Sequence, residues 1–275
     1  MWKLSGFADE ISPDLDVQIE TLKGESMQYL DLRGVWGKNV LDLTDDELGA
    51  IKAALDRNGI QVAAIASPIG KSPIGGSFAP QLDAFRRGLI IAHHFGCSSI
   101  RIFSFFLPEG EDPARHRDEV LKRLAELVGL AEASGVTLVH ENERGIYGDV
   151  PDRCVDLLSA IGSPTLRAVW DPANFVHCGV RPFTDSYAML RPYIAAVHVK
   201  DARAGQSGAV PAGQGDSQWP EAIAALRDSE FDGVFSLEPH LQQGGRFGGF
   251  SGADGFRTAA AAFKTLLRER DVAWQ

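Results

Sequence analysis

Positive charge is in short supply in this chain: 27 lysines and arginines stand against 37 aspartates and glutamates, a formal net charge of -10 over 275 residues. The averaged field of such a chain repels a phosphate backbone, which argues against a nucleic-acid partner. Cysteine is scarce too. Cys97, Cys154 and Cys178 are an odd number without CxxC spacing, which speaks against a disulfide framework and fits free thiols in a reducing compartment. No apolar run approaches the roughly 18 residues of a membrane span, and Met1 to Glu10 lacks a basic segment followed by an apolar one. A cytoplasmic protein without membrane attachment is expected. Linkers and composition shifts are missing as well, so residues 1–275 are expected to form one domain. After the first predicted strand, Gly6-Phe7-Ala8-Asp9 offers none of the glycine-rich phosphate turn of an open, doubly wound nucleotide-binding sheet.

What the chain does have is one design used four times. Val136-Thr137-Leu138-Val139-His140-Glu141 is a short apolar run ending in a carboxylate. Leu166 to Asp171 ends on an aspartate, Ile194 to His198 on a histidine and Gly233 to Glu238 on a glutamate. The separations, each near one strand-helix-strand unit, predict successive strands of a parallel sheet. Earlier strands are expected at Lys3 to Ala8, Gln28 to Arg33, Ile60 to Ala66 and Ser98 to Ser104. Between them the pattern predicts helices. One begins near Asp14 with Ser12 as N-cap, another opens at Thr44 with Glu47 completing a capping box, and a third runs from about Pro80 to Phe95. Others are expected at Pro113 to Ser134, Val150 to Ile161, from near Asp185, at Gln218 to Arg227, and through Arg268 at the end. Eight strands alternating with about eight helices match a (β/α)8 TIM barrel of roughly 250 residues.

Alternation along a strand then sorts the faces. Glu141 shares its side with Thr137 and Val139, Asp171 with Val169, His198 with Ala196, and Glu238 with Val234 and Ser236. The opposite sides carry Leu138, Trp170, Val197, Phe235 and Leu237, suited to packing against helices. The four polar tips are therefore expected to point into the barrel at its C-terminal mouth, where active sites of this fold lie. His140, on the other side, reads as structural, as do His93 and His94 inside a helix. A single acid at a strand end often does no more than cap a helix. Four polar tips converging on one mouth are different, because clustered acids raise one another's pKa and cost stability unless a cation is present. Three carboxylates and one imidazole suit a divalent ion such as Mn2+, Mg2+ or Zn2+.

With those residues in view, the chain resembles the xylose isomerase-like barrels, in particular the sugar phosphate isomerase and epimerase group with its ketose 3-epimerases, hydroxypyruvate isomerase and inosose dehydratase. The motifs are His140-Glu141-Asn142, Asp171-Pro172-Ala173-Asn174, His198-Val199-Lys200-Asp201, and Gly213-Gln214-Gly215-Asp216 through Leu237-Glu238-Pro239-His240. The resemblance implies one divalent ion held by Glu141, Asp171, His198 and Glu238, with Mn2+ the first choice and Mg2+, Co2+ or Zn2+ as alternatives. It also implies that Glu141 and Glu238 move a proton alpha to the carbonyl of a sugar, sugar phosphate or related polyhydroxy compound. Where the ketose epimerases carry a histidine three residues after the aspartate, this chain has Asn174, and the arginine expected after the histidine has Arg203 as its nearest counterpart.

Substrate contacts are expected from Asn174, Lys200, Arg203, Arg33, Phe7 and Lys71, with Arg246 also on the mouth side. Trp36, Phe105 and Phe106 are further wall candidates, and Glu143 and His240 candidates to support the ligand set. Asp31 and Arg101 are expected to pair inside the barrel. A lyase of the inosose dehydratase type is the main alternative, and a sugar-binding barrel without turnover is another. A trinuclear-zinc endonuclease on the same barrel is disfavoured by the charge. No feature of the sequence specifies an oligomeric interface.

Overall fold

Every backbone pairing in the main sheet is parallel, and the sheet is rolled almost into a ring. In this computed structural model, which describes residues 1–242 and 249–275, the strands are β1 (Lys3–Gly6), β2 (Tyr29–Leu32), β3 (Gln61–Ile65), β4 (Ser99–Ile102), β5 (Thr137–Glu141), β6 (Leu166–Trp170), β7 (Ile194–Val199) and β8 (Val234–Leu237). Their order is β1-β8-β7-β6-β5-β4-β3-β2, and a single parallel bridge between Phe7 and Asp31 joins the two ends. Arg246 lies outside the described residues.

The helices between the strands are α1 (Leu15–Gly24), α2 (Asp45–Asn58), α3 (Ala79–Phe95), α4 (Arg117–Ser134), α5 (Pro151–Ile161), α6 (Pro172–His177), α7 (Ala188–Leu190), α8 (Trp219–Asp228) and α9 (Gly252–Arg268). The fold is therefore the (β/α)8 barrel that the alternation predicts.

Local chemistry explains most boundaries. At the start of α2 the Glu47 N–H donates to Thr44 Oγ1 at 3.3 Å while Glu47 Oε2 accepts from the Thr44 N–H at 2.9 Å, closing the capping box. Thr44→Ala is expected to cost about 1 kcal/mol, read as a lower urea midpoint with an unchanged slope. An unchanged midpoint would show that the box contributes nothing. Gly135 takes a left-handed φ of 65° to end α4, and the chain enters β5 two residues later.

Three boundaries differ from the sequence reading. Asp14, not Ser12, caps α1, because its Oδ1 accepts from the N–H groups of Asp16 and Val17 at 3.0 and 3.1 Å; Ser12 Oγ serves the Asp14 N–H one step earlier. Pro113–His116 is a 3-10 turn leading into α4. The helix expected from Asp185 is a π turn over Pro182–Tyr187 that leaves only a short α7, with Ser186 Oγ bonded back to the Pro182 carbonyl. A small antiparallel hairpin, Gly34–Val35 with Lys38–Asn39, and the short α6 were not legible in the pattern.

Two layers of side chains follow from the strand alternation. Leu138, Trp170, Val197, Phe235 and Leu237 belong to the continuous apolar core between strands and helices. Val139, Val169, Ala196, Val234 and Ser236 line a small internal space within the barrel. Among the described residues no helix is long and apolar enough to cross a membrane.

Candidate metal centre

The inward face ends, at the top of the barrel, in four polar side chains from four neighbouring strands. Glu141 is the last residue of β5, His198 the fifth of β7, and Asp171 and Glu238 directly follow β6 and β8. All four are buried, and one donor atom from each lies within 4.8 Å of all the others. His198 Nδ1 is 3.2 Å from Glu141 Oε1, 3.5 Å from Glu238 Oε2 and 3.8 Å from Asp171 Oδ2.

Each carboxylate is held by partners that leave part of it free. Asp171 Oδ1 accepts from the Asn174 N–H at 2.9 Å and so caps α6, while Asn142 pins the Asp171 backbone from both sides at 2.9 Å. Arg101 Nη1 reaches Glu141 Oε2 at 3.0 Å, and Asn174 Nδ2 donates to Glu141 Oε1 at 3.2 Å. Arg33 Nη1 donates to Glu238 Oε1 at 2.9 Å and Lys200 Nζ to Glu238 Oε2 at 2.8 Å. Lys200 Nζ also lies 2.8 Å from Asp171 Oδ2. His198 Nδ1, though buried, meets the geometry of a hydrogen bond with no group among the described residues.

Buried polar atoms are ordinarily satisfied, so an imidazole nitrogen without a hydrogen bond, surrounded by three buried carboxylates, has the chemistry of a cation site. The charges agree. Burial pushes the Asp171 carboxyl up to about 6 against the pull of Lys200. At Glu141 burial also raises the pKa, but His198 and Arg101 outweigh it and keep the group ionised. Glu238 is held well below the carboxylate range in the same way, burial being overcome chiefly by Lys200 and His240. Lys200 stays fully charged because Asp171 and Glu238 more than offset its burial. The residues therefore fit a divalent ion with an oxygen-rich donor set and one imidazole nitrogen.

The predicted substrate residues divide into two groups. Arg33, Lys71, Asn174 and Lys200 line a cavity of about 590 Å³ together with Glu141, Glu238, Glu143 and His240. Phe7 is not brought to the lining: it is fully buried, edge-on to His198 with ring centroids 5.0 Å apart, and the Arg33 and Arg101 guanidinium groups stack over its ring at 4.9 and 5.0 Å. Arg203 is not brought to the cavity; it is exposed and donates to the Gln214 carbonyl at 3.2 Å. Trp36, Phe105 and Phe106 are also absent from the lining, and Phe105 is fully buried against Phe78. Glu143 pairs with Lys71 at 2.8 Å, and His240 Nε2 stands 3.5 Å from Glu238 Oε1. His140 is buried on the helix side, so close to Gly148 that a Cβ there would meet its ring at 2.5 Å.

The expected Asp31–Arg101 pair does not form. Asp31 accepts from Ser5 Oγ at 2.5 Å, and Arg101 extends upward to Glu141. Sequence reasoning also missed Glu10, which is buried, accepts from the His240 N–H at 2.9 Å and from Ser251 Oγ at 3.1 Å, and lies 3.0 Å from His240 Nε2. No local signal marked it, because its partners lie at the far end of the chain.

A barrel with a buried acid-and-imidazole cluster at its C-terminal mouth defines the class of protein. By its match to the family model over residues 25–266, the chain belongs to the xylose isomerase-like TIM barrel family. Similar solved structures include a D-tagatose 3-epimerase-like protein, with a TM-score of 0.80 at 16% identity, covering 98% of each chain. A probable 3-DHS dehydratase, AsbF, from Bacillus anthracis aligns with a TM-score of 0.77 at 18% identity, covering 95% of this chain and 98% of that one. The IOLI protein with a bound zinc atom aligns with a TM-score of 0.78 at 16% identity, covering 97% and 98%. At these identities the likeness is one of fold. No curated protein sequence matches the chain.

Proposed function

We propose that the chain is a divalent-metal-dependent isomerase or epimerase of a small polyhydroxy carbonyl compound, with Glu141, Asp171, His198 and Glu238 as ligands and Glu141 and Glu238 as the proton-moving pair. The observation that carries the reading is the convergence of four buried donors within 4.8 Å of one another beneath a polar cavity. Mn2+ is the first ion to try, with Mg2+, Co2+ and Zn2+ as alternatives. An ion held there supplies Lewis acidity, drawing charge from a substrate carbonyl so that a neighbouring C–H becomes acidic.

The remaining work falls to the chain itself. Lys200 and His240 hold Glu238 ionised, and Arg33 and Lys200 fix its carboxylate from two sides, so one glutamate is in the form that accepts a proton from carbon. Glu141, fixed by Arg101 and Asn174 and itself ionised, stands across the cluster as the second carboxylate; it takes a proton from solvent and delivers it to the opposite face of the same carbon for epimerisation or to its neighbour for isomerisation. Asn174, at the cavity wall, is placed to meet a substrate oxygen. Phe7 packs edge-on against His198 and fixes the plane of its ring.

Incubating the Mn2+-loaded protein in deuterated water with ketoses, ketose phosphates and inososes tests the proposal. Deuterium entering the carbon alpha to a carbonyl, with the product mass otherwise unchanged, is the expected result. Loss of one water from the product would favour the dehydratase reading, which shares the first proton abstraction. Binding of these compounds with no exchange would contradict enzymatic turnover.

A further inference from the structure

The cavity above the four donors continues outward. A second space of about 530 Å³ shares Glu143, Asn174, His177 and Gly208 with the first and is bounded on its far side by Arg144 and Ser207. The charges of the two spaces are unequal in a telling way. Deep in the barrel each acid has its cation: Glu141 has Arg101, and Glu238 has Arg33 and Lys200. At the rim, Glu143 has Lys71 at 2.8 Å.

Arg144 has no such match. It is exposed, forms no ion pair among the described residues, and residues 243–248 contain no carboxylate to offer it. Half-buried His177 sits in the same wall, and its imidazole is kept below its usual basicity by burial and by the positive charges of Lys200, Arg144 and His240. In a chain of net charge -10, this is a local surplus of positive charge facing an open space. Such a surplus is relieved by an anion, and a guanidinium fork beside an imidazole N–H has the donors to hold one.

We propose that Arg144 and His177 form an anion subsite at the outer end of the cavity, which takes a phosphate or carboxylate group of the substrate. The substrate class that follows is a polyhydroxy carbonyl compound with an oxyanion at the end remote from the reacting carbons. That class rests on the reaction proposed above; the subsite itself does not. Ser207 faces the same space and is available to donate its hydroxyl to the bound group.

The test is a titration of the full-length chain with inorganic phosphate and, separately, with acetate, following the His177 Cε1–H resonance by NMR after assignment with His177→Gln. A saturable shift is expected, with the apparent Kd weakened at least tenfold in Arg144→Gln and partly restored in Arg144→Lys. Tighter phosphate binding assigns a phosphate end group, and tighter acetate binding a carboxylate. Asp171→Asn, which disables the donor cluster, should leave the shift in place, so a failure of the proposed reaction is read separately from a failure of the subsite. Absence of a saturable shift, a shift indifferent to Arg144→Gln, or a shift lost in folded Asp171→Asn would overturn the proposal.

Discussion

Replacing Glu238 by glutamine is expected to lower the rate of solvent proton exchange by about 10² to 10⁴-fold, the range typical for removal of a general acid or base. The substitution keeps the shape of the side chain and one coordinating oxygen. It should also leave the fold standing, because the two cations that grip Glu238 have other anchors: Lys200 lies 2.8 Å from Asp171, and Arg33 donates to Asp9 at 2.8 Å. A variant that unfolds at the wild-type temperature, binds the ion and fails to exchange is therefore the predicted outcome. Steady deuterium incorporation at the wild-type rate would remove Glu238 from the proton-moving pair.

Asp171→Ala attacks the same centre from the side of the ion. The wild-type protein should gain stability from added Mn2+ as RT ln(1 + [L]/Kd), about 2.7 kcal/mol at a hundredfold excess over Kd, which appears as a rise of several degrees in Tm. The variant should gain almost nothing. It also loses the cap of α6, since Asp171 Oδ1 accepts from the Asn174 N–H, so its metal-free stability should fall by about 1 kcal/mol. Comparing each protein with and without the ion separates the two effects. An equal thermal gain in both would exclude Asp171 as a ligand.

Much of this centre was legible because strands obey a period of two. One acid at the end of an apolar run says little, but the alternation that puts Val139 and Val169 inside the barrel and Leu138 and Trp170 outside it also fixes where Glu141 and Asp171 must point. Lys200, two residues beyond His198, followed by the same rule. Side-chain reach is where the pattern ended. Asp31 and Arg101 both face inward as expected, yet a long guanidinium travels up the barrel to Glu141 while the short Asp31 side chain stays low beside Ser5.

Loops escaped the pattern altogether. Arg203 is close to His198 in sequence, but the chain beyond β7 turns at Asp201, whose carboxylate accepts from the N–H groups of Gly213, Gly215 and Ser217, and this turn leaves Arg203 on the surface. Glu10 and His240 meet across 230 positions of sequence, a contact that no periodicity records. Arg144 carries no motif. Its meaning arises only from its place in the cavity wall without an ion pair among the described residues.

The central claim is that four strand ends hold one divalent ion, and elemental analysis of the purified protein tests it most directly. The protein should be measured before and after chelation and again after incubation with Mn2+, Mg2+, Co2+ or Zn2+, beside a Glu141→Ala/His198→Ala double variant. About one ion per chain in the wild type, removed by chelation and not retained by the folded double variant, is the predicted result. A wild-type protein that takes up none of these ions, or a double variant that retains one, would contradict it.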